Sequence, residues 1–173
     1  VQESLAEKEP WVLDLKKQLL CDKLTGLYNQ VFFKEEYDML FSRDRAAETA
    51  LLMIKPDNFK EINDRYGHKA GDQLLRMIAI FLQSELGQND FGVRFRGDEF
   101  AAVINDTDRD GAIAHAEAII RSYRAMDIAE ITAPDPIVIT ASIGIAMFPR
   151  HEKNSETLVD AALRKMYRRR TSG

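Results

Sequence analysis

The stretch Val93-Arg94-Phe95-Arg96-Gly97-Asp98-Glu99-Phe100 constrains the fold more than any other. Phe91 to Phe95 alternates apolar and polar residues, Phe100 to Ile104 does so more loosely, and a short polar break containing a glycine separates the two. Period-two patterning on both sides of a glycine turn signals a β-hairpin, and a hairpin commits its part of any sheet to antiparallel pairing. Two adjacent acids, Asp98 and Glu99, leave the turn. Two readings of them are open. They are solvated turn residues, since acids and glycine are common there, or they present carboxylates to a divalent metal and a nucleotide phosphate.

The other elements follow from periodicity. Ala50 to Ile54 is a continuous apolar run of strand length, and Lys55-Pro56 ends it; such runs suit strands buried on both faces. Asp57 is a candidate cap for a short helix through Asn63 and Asp64, on which Lys60 and Asn63 share a face. Gly71-Asp72 is expected to open a second helix, with Asp72 as N-cap and Leu75, Ile78 and Leu82 inward, widened by Leu74, Met77 and Phe81. Asn29 is the expected cap of a helix carrying Phe33, Tyr37, Leu40 and Phe41. Beyond the hairpin, Ile113, Ala116, Ile120 and Tyr123 keep helical spacing, and Ile137 to Ile145 alternates like a long strand. A last helix starting at Asn154 or Ser155 is expected to bury Leu158, Val159, Ala162, Leu163 and Met166. The order of helix, strand, helices, hairpin, helix, strand and helix predicts an α/β (α+β) domain, a central and mainly antiparallel sheet flanked by helices.

Composition narrows the class. At 173 residues the chain is long enough for one domain with a full core. A net charge of -4 offers no global attraction to a nucleic acid polymer or an anionic membrane surface. The exception is local: Arg164, Lys165, Arg168, Arg169 and Arg170 crowd the end of the last helix, either as a solvated basic end complementing the helix dipole or as a polyanion contact. No apolar run approaches the roughly 18 residues of a membrane span. Cys21 is the single cysteine, which excludes an internal disulfide and fits a reducing, cytoplasmic setting. Residues 1–20 carry a thin apolar stripe of Val12, Leu15 and Leu19, with Pro10 suited to a first helical turn. They read either as a frayed tail or as a connecting helix that pairs with a partner. The expected division is therefore a connecting helix over 1–20 and a domain over 21–173. The chain begins without Met, so it is expected to be a piece of a longer protein.

Four further blocks stand in order around the hairpin. They are Asp22-Lys23-Leu24-Thr25-Gly26-Leu27-Tyr28-Asn29, Asp57-Asn58-Phe59-Lys60-Glu61-Ile62-Asn63-Asp64, Tyr66-Gly67-His68-Lys69-Ala70-Gly71-Asp72 and Thr140-Ala141-Ser142-Ile143-Gly144-Ile145-Ala146. With the hairpin they resemble the GGDEF family of diguanylate cyclases, from about Asp22 to the last helix. The resemblance implies the palm-like fold of nucleotide cyclases and polymerases. It implies condensation of two GTP to cyclic di-GMP with release of pyrophosphate, by two copies of the domain facing each other. It implies Asp98 and Glu99 as catalytic and metal-binding acids for Mg²⁺ or Mn²⁺, and Asn63 and Asp72 as guanine contacts. Lys60 and the backbone at Asn58 and Phe59 would serve the phosphates. Residues 1–20 would be a signalling stalk joined to sensory or other signalling domains.

The chain departs from that pattern at several places. Lys55 stands at the position of the family's first metal-binding aspartate. Arg96 replaces the first glycine of the signature, and if that position needs positive φ, arginine costs roughly 1 kcal/mol or more; other members carry the same replacement. Gln30 stands at a usual arginine. Tyr167 and Thr171 fall where the closing helix has a phosphate-binding lysine and an arginine, with Arg168 or Arg169 as substitutes of different reach. Asp90 matches the product-inhibition motif, but Gly87 stands in its arginine's place, leaving that site incomplete. Metal binding is expected to be weakened or lost. Two functions follow, an active cyclase and a catalytically impaired, guanine-nucleotide-binding regulatory or dimerisation module. Paired acids and both guanine contacts argue against an interaction domain with no ligand.

Overall fold

Six successive residues, Thr49 to Ile54, are each buried, and the strand that contains them is central to the sheet. The computed structural model describes residues 10–41, 48–149 and 155–170. The elements run α1 Pro10–Leu20, α2 Gln30–Phe41, β1 Thr49–Pro56, α3 Phe59–Tyr66, α4 His68–Ser84, β2 Phe91–Arg96, β3 Glu99–Ile104, α5 Arg109–Arg124, α6 Ala129–Thr132, β4 Ala141–Phe148 and α7 Ser155–Arg170. The four strands lie in the order β2-β3-β1-β4, and every ladder between them is antiparallel. This is the expected class: one antiparallel sheet with helices on both faces.

Alternation in β1 divides the core. Ala50, Leu52 and Ile54 join Leu74, Ile78 and Leu82 of α4 and Ile119 and Tyr123 of α5 on one face. Leu51 and Met53 join Phe33 of α2 and Leu158, Ala162 and Met166 of α7 on the other. A strand covered twice must be apolar at every position, which explains why its sequence reads as a continuous run. Helix α7 approaches β4 very closely. A Cβ at Gly144 would collide with the backbone carbonyl of Ala162 and the amide of Met166, so only glycine permits this packing.

Several local expectations need correction. Asp57 does not cap α3; Asn58 holds that place with φ 59° and makes no side-chain cap bond. Asp72 does not open α4, because the helix begins at His68 after Gly67 and Asp72 lies inside it. The buried face of α5 is Ala112, Ala116, Ile119 and Tyr123, so Ile113, 37% exposed, falls off the expected stripe. Strand β4 starts at Ala141, four residues after the expected Ile137, and α6 was not foreseen. The Asn29 cap holds: its Oδ1 accepts from the amides of Val31 and Phe32 at 3.0 and 3.1 Å. Leu15 and Leu19 of α1 are 48% and 61% exposed, while residues 1–9 of the connecting segment lie outside the described residues. No helix among the described residues is long and apolar enough to cross a membrane.

Candidate functional site

The register of the sheet builds the site. Met53 pairs with Ala101 and Ile54 with Phe100, so one further step sets Lys55 across from Glu99. On its other side β1 pairs Lys55 with Ser142 of β4. The end of β1 therefore arrives beside the β2–β3 turn with a cation on the side that carries Met53. The turn is Gly97-Asp98, closed by the Arg96–Glu99 pair, with a register slip between Arg94 and Arg96. Among the described residues only Asn58 and Asp106 are non-glycine residues with positive φ, and at the tip φ is +50° at Gly97. The strain anticipated for Arg96 is absent, because the glycine that the sequence keeps occupies the position that needs it.

The tip is braced from behind. Arg94 Nε donates to the Gly97 carbonyl at 3.0 Å. Its Nη1 donates to Asp22 Oδ1 and Oδ2 at 3.1 and 3.2 Å. Asp22 Oδ2 also accepts from the Thr25 amide at 2.8 Å and its hydroxyl at 2.7 Å. Burial pushes the Asp22 carboxyl upward, but the Thr25 hydrogen bonds and the Arg94 guanidinium outweigh it and hold the pKa below the ordinary carboxylate value. The segment after β1 is fastened by the aspartate expected to cap α3. Asp57 Oδ2 accepts from Thr140 Oγ1 at 2.6 Å and Oδ1 from Ser142 Oγ at 3.0 Å, while its amide donates to the Thr140 carbonyl at 2.9 Å.

Between this segment and the tip lies an open cleft of about 810 Å³, with Lys55, Asn58, Phe59, Lys60 and Asp98 among its walls. Five of the expected site residues are thus brought together. Asn63 and Asp72 are placed elsewhere, about the α3–α4 junction and outside that lining. Asn63 Nδ2 lies 3.0 Å from His68 Nδ1, and Gly71, next to the exposed Asp72, rests against the Asn63 side chain and the Phe59 ring. Phe59 touches both regions, so the cleft and the Asn63–Asp72 junction adjoin across α3.

The acids are already engaged. Lys55 Nζ donates to Asp98 Oδ1 at 2.7 Å and stands 3.9 Å from Glu99 Oε1. Glu99, with a side chain only 5% exposed, accepts from Arg96 Nε at 2.5 Å through Oε2. Two carboxylates therefore face two cations. Among the described residues no group of three or more His, Cys, Asp or Glu could hold a metal ion. As folded, this donor set does not fit a divalent cation, because such an ion is held by hard anionic oxygens and here Asp98 is taken by Lys55 and Glu99 by Arg96. Asp90 is likewise occupied. Its carboxylate accepts from the Gly87 amide and the Asn105 amide, each at 2.9 Å, so it fastens the loop ahead of β2. The side chains of Tyr167, Arg168 and Arg169, and the whole of Thr171, lie outside the described residues.

Sequence reasoning missed the positioning groups. Asp22 and Arg94 both lie in blocks singled out above, yet their contact spans 72 positions. The pairing of Asp57 with Thr140 and Ser142 spans 83 and 85.

The family profile described as diguanylate cyclase, GGDEF domain, matches residues 19–173. The chain is 35% identical over 158 residues to the diguanylate cyclase TpbB of Pseudomonas aeruginosa, covering 88% of this chain and 35% of that protein. It is 36% identical over 153 residues to the cyclic di-GMP phosphodiesterase NbdA of the same organism, covering 86% of this chain and 19% of NbdA. The chain thus spans well under half the length of these relatives. It is similar to the solved GGDEF domain of PA1120 (TpbB or YfiN) from P. aeruginosa, with TM-score 0.81, 32% identity, and coverage of 88% of this chain and 90% of that one. With the profile spanning all but the first 18 residues and the same sheet and helices in a solved relative, the chain belongs to the GGDEF domain family of diguanylate cyclases, the domain family of cyclic di-GMP signalling.

Proposed function

We propose that this domain binds GTP, and that its place in cyclic di-GMP signalling is the family's nucleotidyl transfer, in which two facing copies join two GTP and release pyrophosphate. One observation carries the reading: a single cleft gathers Lys55, Lys60 and the Asn58–Phe59 backbone beside Asp98, and it adjoins Asn63 and Asp72 across α3. Lysines and the amides at the start of α3 suit phosphate oxygens. A carboxylate at Asp72 can accept from the N1–H and N2–H edge of guanine, and the Asn63 amide can pair with its acceptors. Adenine offers the reverse pattern along that edge, so the pair selects guanine. The longer relatives, and the exposed Leu15 and Leu19 of α1, support attachment to further signalling domains and pairing with a second copy.

A second reading is favoured by the 2.7 Å Lys55–Asp98 contact. The domain then holds GTP, turns it over slowly and acts as a regulatory or dimerisation module. Both readings share the binding step, and calorimetry tests it. GTP should bind more tightly than ATP. Losing a charged hydrogen-bonding partner of the bound base costs about 1–3 kcal/mol, so Asp72→Ala should weaken GTP binding about 5- to 150-fold. Equal affinity of the parent for GTP and ATP would refute both readings.

A further inference from the structure

We infer that this domain binds guanosine phosphates without a divalent cation, the Lys55 ammonium supplying at the phosphates the positive charge that a metal supplies in the family. The inference rests on the GTP-binding reading above and concerns how the same cleft is charged.

The acids that would hold a metal are each neutralised by the chain itself. Lys55 Nζ takes Asp98 Oδ1 at 2.7 Å, and Arg96 Nε takes Glu99 Oε2 at 2.5 Å. A metal entering between the acids would have to displace one of these cations and then sit beside it. Lys55 is also hard to dislodge at its root. Its backbone is in the central strand, paired with Ser142 of β4, and Asp57 fastens the following turn to Thr140 and Ser142. The lysine stem is flexible, but its side chain is only 18% exposed and its head is already placed on Asp98.

That head retains capacity. An ammonium carries three N–H donors, and among the described residues the Lys55 Nζ makes one hydrogen bond, to Asp98. The remaining donors stand at the wall of the cleft, which Lys60 also lines. Phosphate oxygens entering there meet Lys55, Lys60, Arg65 and the first amides of α3, donors that recognise anionic oxygen directly, while Glu61, Asp64 and the Lys55-paired Asp98 share the wall. A metal ion coordinates acids and phosphates at once and so makes nucleotide affinity metal-dependent. An ammonium bridging Asp98 and a phosphate does the same work permanently.

The experiment titrates GTP into the 173-residue chain by calorimetry, once in EDTA and once in excess Mg²⁺. A parallel Mn²⁺ titration without nucleotide is followed by electron paramagnetic resonance. For the parent, the GTP dissociation constant should agree within about threefold between the two conditions, and millimolar protein should leave Mn²⁺ free. Lys55→Asp should lose at least tenfold in metal-free GTP affinity, recover it with Mn²⁺ and bind Mn²⁺ on its own. Lys55→Met, which adds no buried charge, should lose the metal-free affinity without gaining a metal site. A tenfold or greater loss of parent GTP affinity in EDTA, or Mn²⁺ captured by the parent, would overturn the inference and leave the GTP-binding reading standing. Metal-free GTP affinity unchanged in Lys55→Met would also overturn it. No GTP binding in either condition would overturn the GTP-binding reading and this inference with it.

Discussion

Replacing Lys55 by aspartate should raise cyclic di-GMP formation, and the size of the barrier it removes follows from the geometry. Lys55 Nζ lies 2.7 Å from Asp98 Oδ1. A Mg²⁺ ion bound to that oxygen at about 2.1 Å is then at most about 5 Å from the ammonium. At an effective dielectric near 20, a divalent charge and an ammonium about 5 Å apart repel by about 7 kcal/mol. The lysine stem relieves most of this by swinging away, at the loss of an ion pair contributing about 1 kcal/mol or less in a partly exposed setting. Movement of the stem supplies no carboxylate, so Asp98 and Glu99 would face the ion without a third acid and with Arg96 still on Glu99. Diguanylate cyclases of this family generally depend on Mg²⁺, and that demand is what the lysine opposes. The assay incubates parent and Lys55→Asp with GTP and either Mg²⁺ or Mn²⁺ at matched dimer concentration and quantifies cyclic di-GMP. The parent should turn over well below about 1 per second, a slow rate for an enzyme. The variant should be at least about tenfold faster, which is a barrier lowered by about 1.4 kcal/mol. A parent already working near 1 per second, unchanged by Lys55→Asp, would refute the reasoning.

Other perturbations test the frame of the site. Gly144→Ala forces α7 off β4, because the new methyl group meets backbone atoms of Ala162 and Met166; overpacking of this kind costs about 1–3 kcal/mol or more, read as a thermal midpoint lowered by several degrees. Asp22 is a carboxyl whose folded pKa lies below its unfolded value, so its stabilisation is complete above the ordinary carboxylate range near pH 4 and is lost as pH falls through the folded pKa. Asp22→Asn should lower stability at neutral pH by about 1–2 kcal/mol and flatten the acid limb in urea melts at stepped pH; an unchanged limb would show that Asp22 carries none of it. Cyclic di-GMP should not bind tightly at the loop ahead of β2, where Gly87 offers no guanidinium and Asp90 is committed to two backbone amides; a tight site that disappears in Asp90→Ala without loss of fold would contradict this.

Much of the fold was legible because periodicity is a local property. The hairpin, the continuous run of β1 and the helical stripes of α4 and α7 each state in sequence which faces are covered. Helix starts were read less well. Asp57 and Asp72 have the chemistry of caps, but a cap is fixed by backbone conformation, and Asn58 and Gly67 hold those places. The side chain of Asp57 went instead to hydroxyls on Thr140 and Ser142, partners far along the chain. Ile113 likewise fits a helical stripe, yet rotation about α5 was set by what the sheet offered, and Ala112 turned inward.

The sequence by itself determined the family, the antiparallel sheet and the chemical identity of the groups around the cleft, including a lysine at the end of β1. Those are matters of residue type and spacing. Only the tertiary structure decided what the groups do to one another. Register across β1 and β3 places Lys55 against Asp98 and Glu99, and the turn puts Gly97 rather than Arg96 at positive φ. Whether opposite charges 43 positions apart neutralise each other depends on the distance between them, and folding sets that distance.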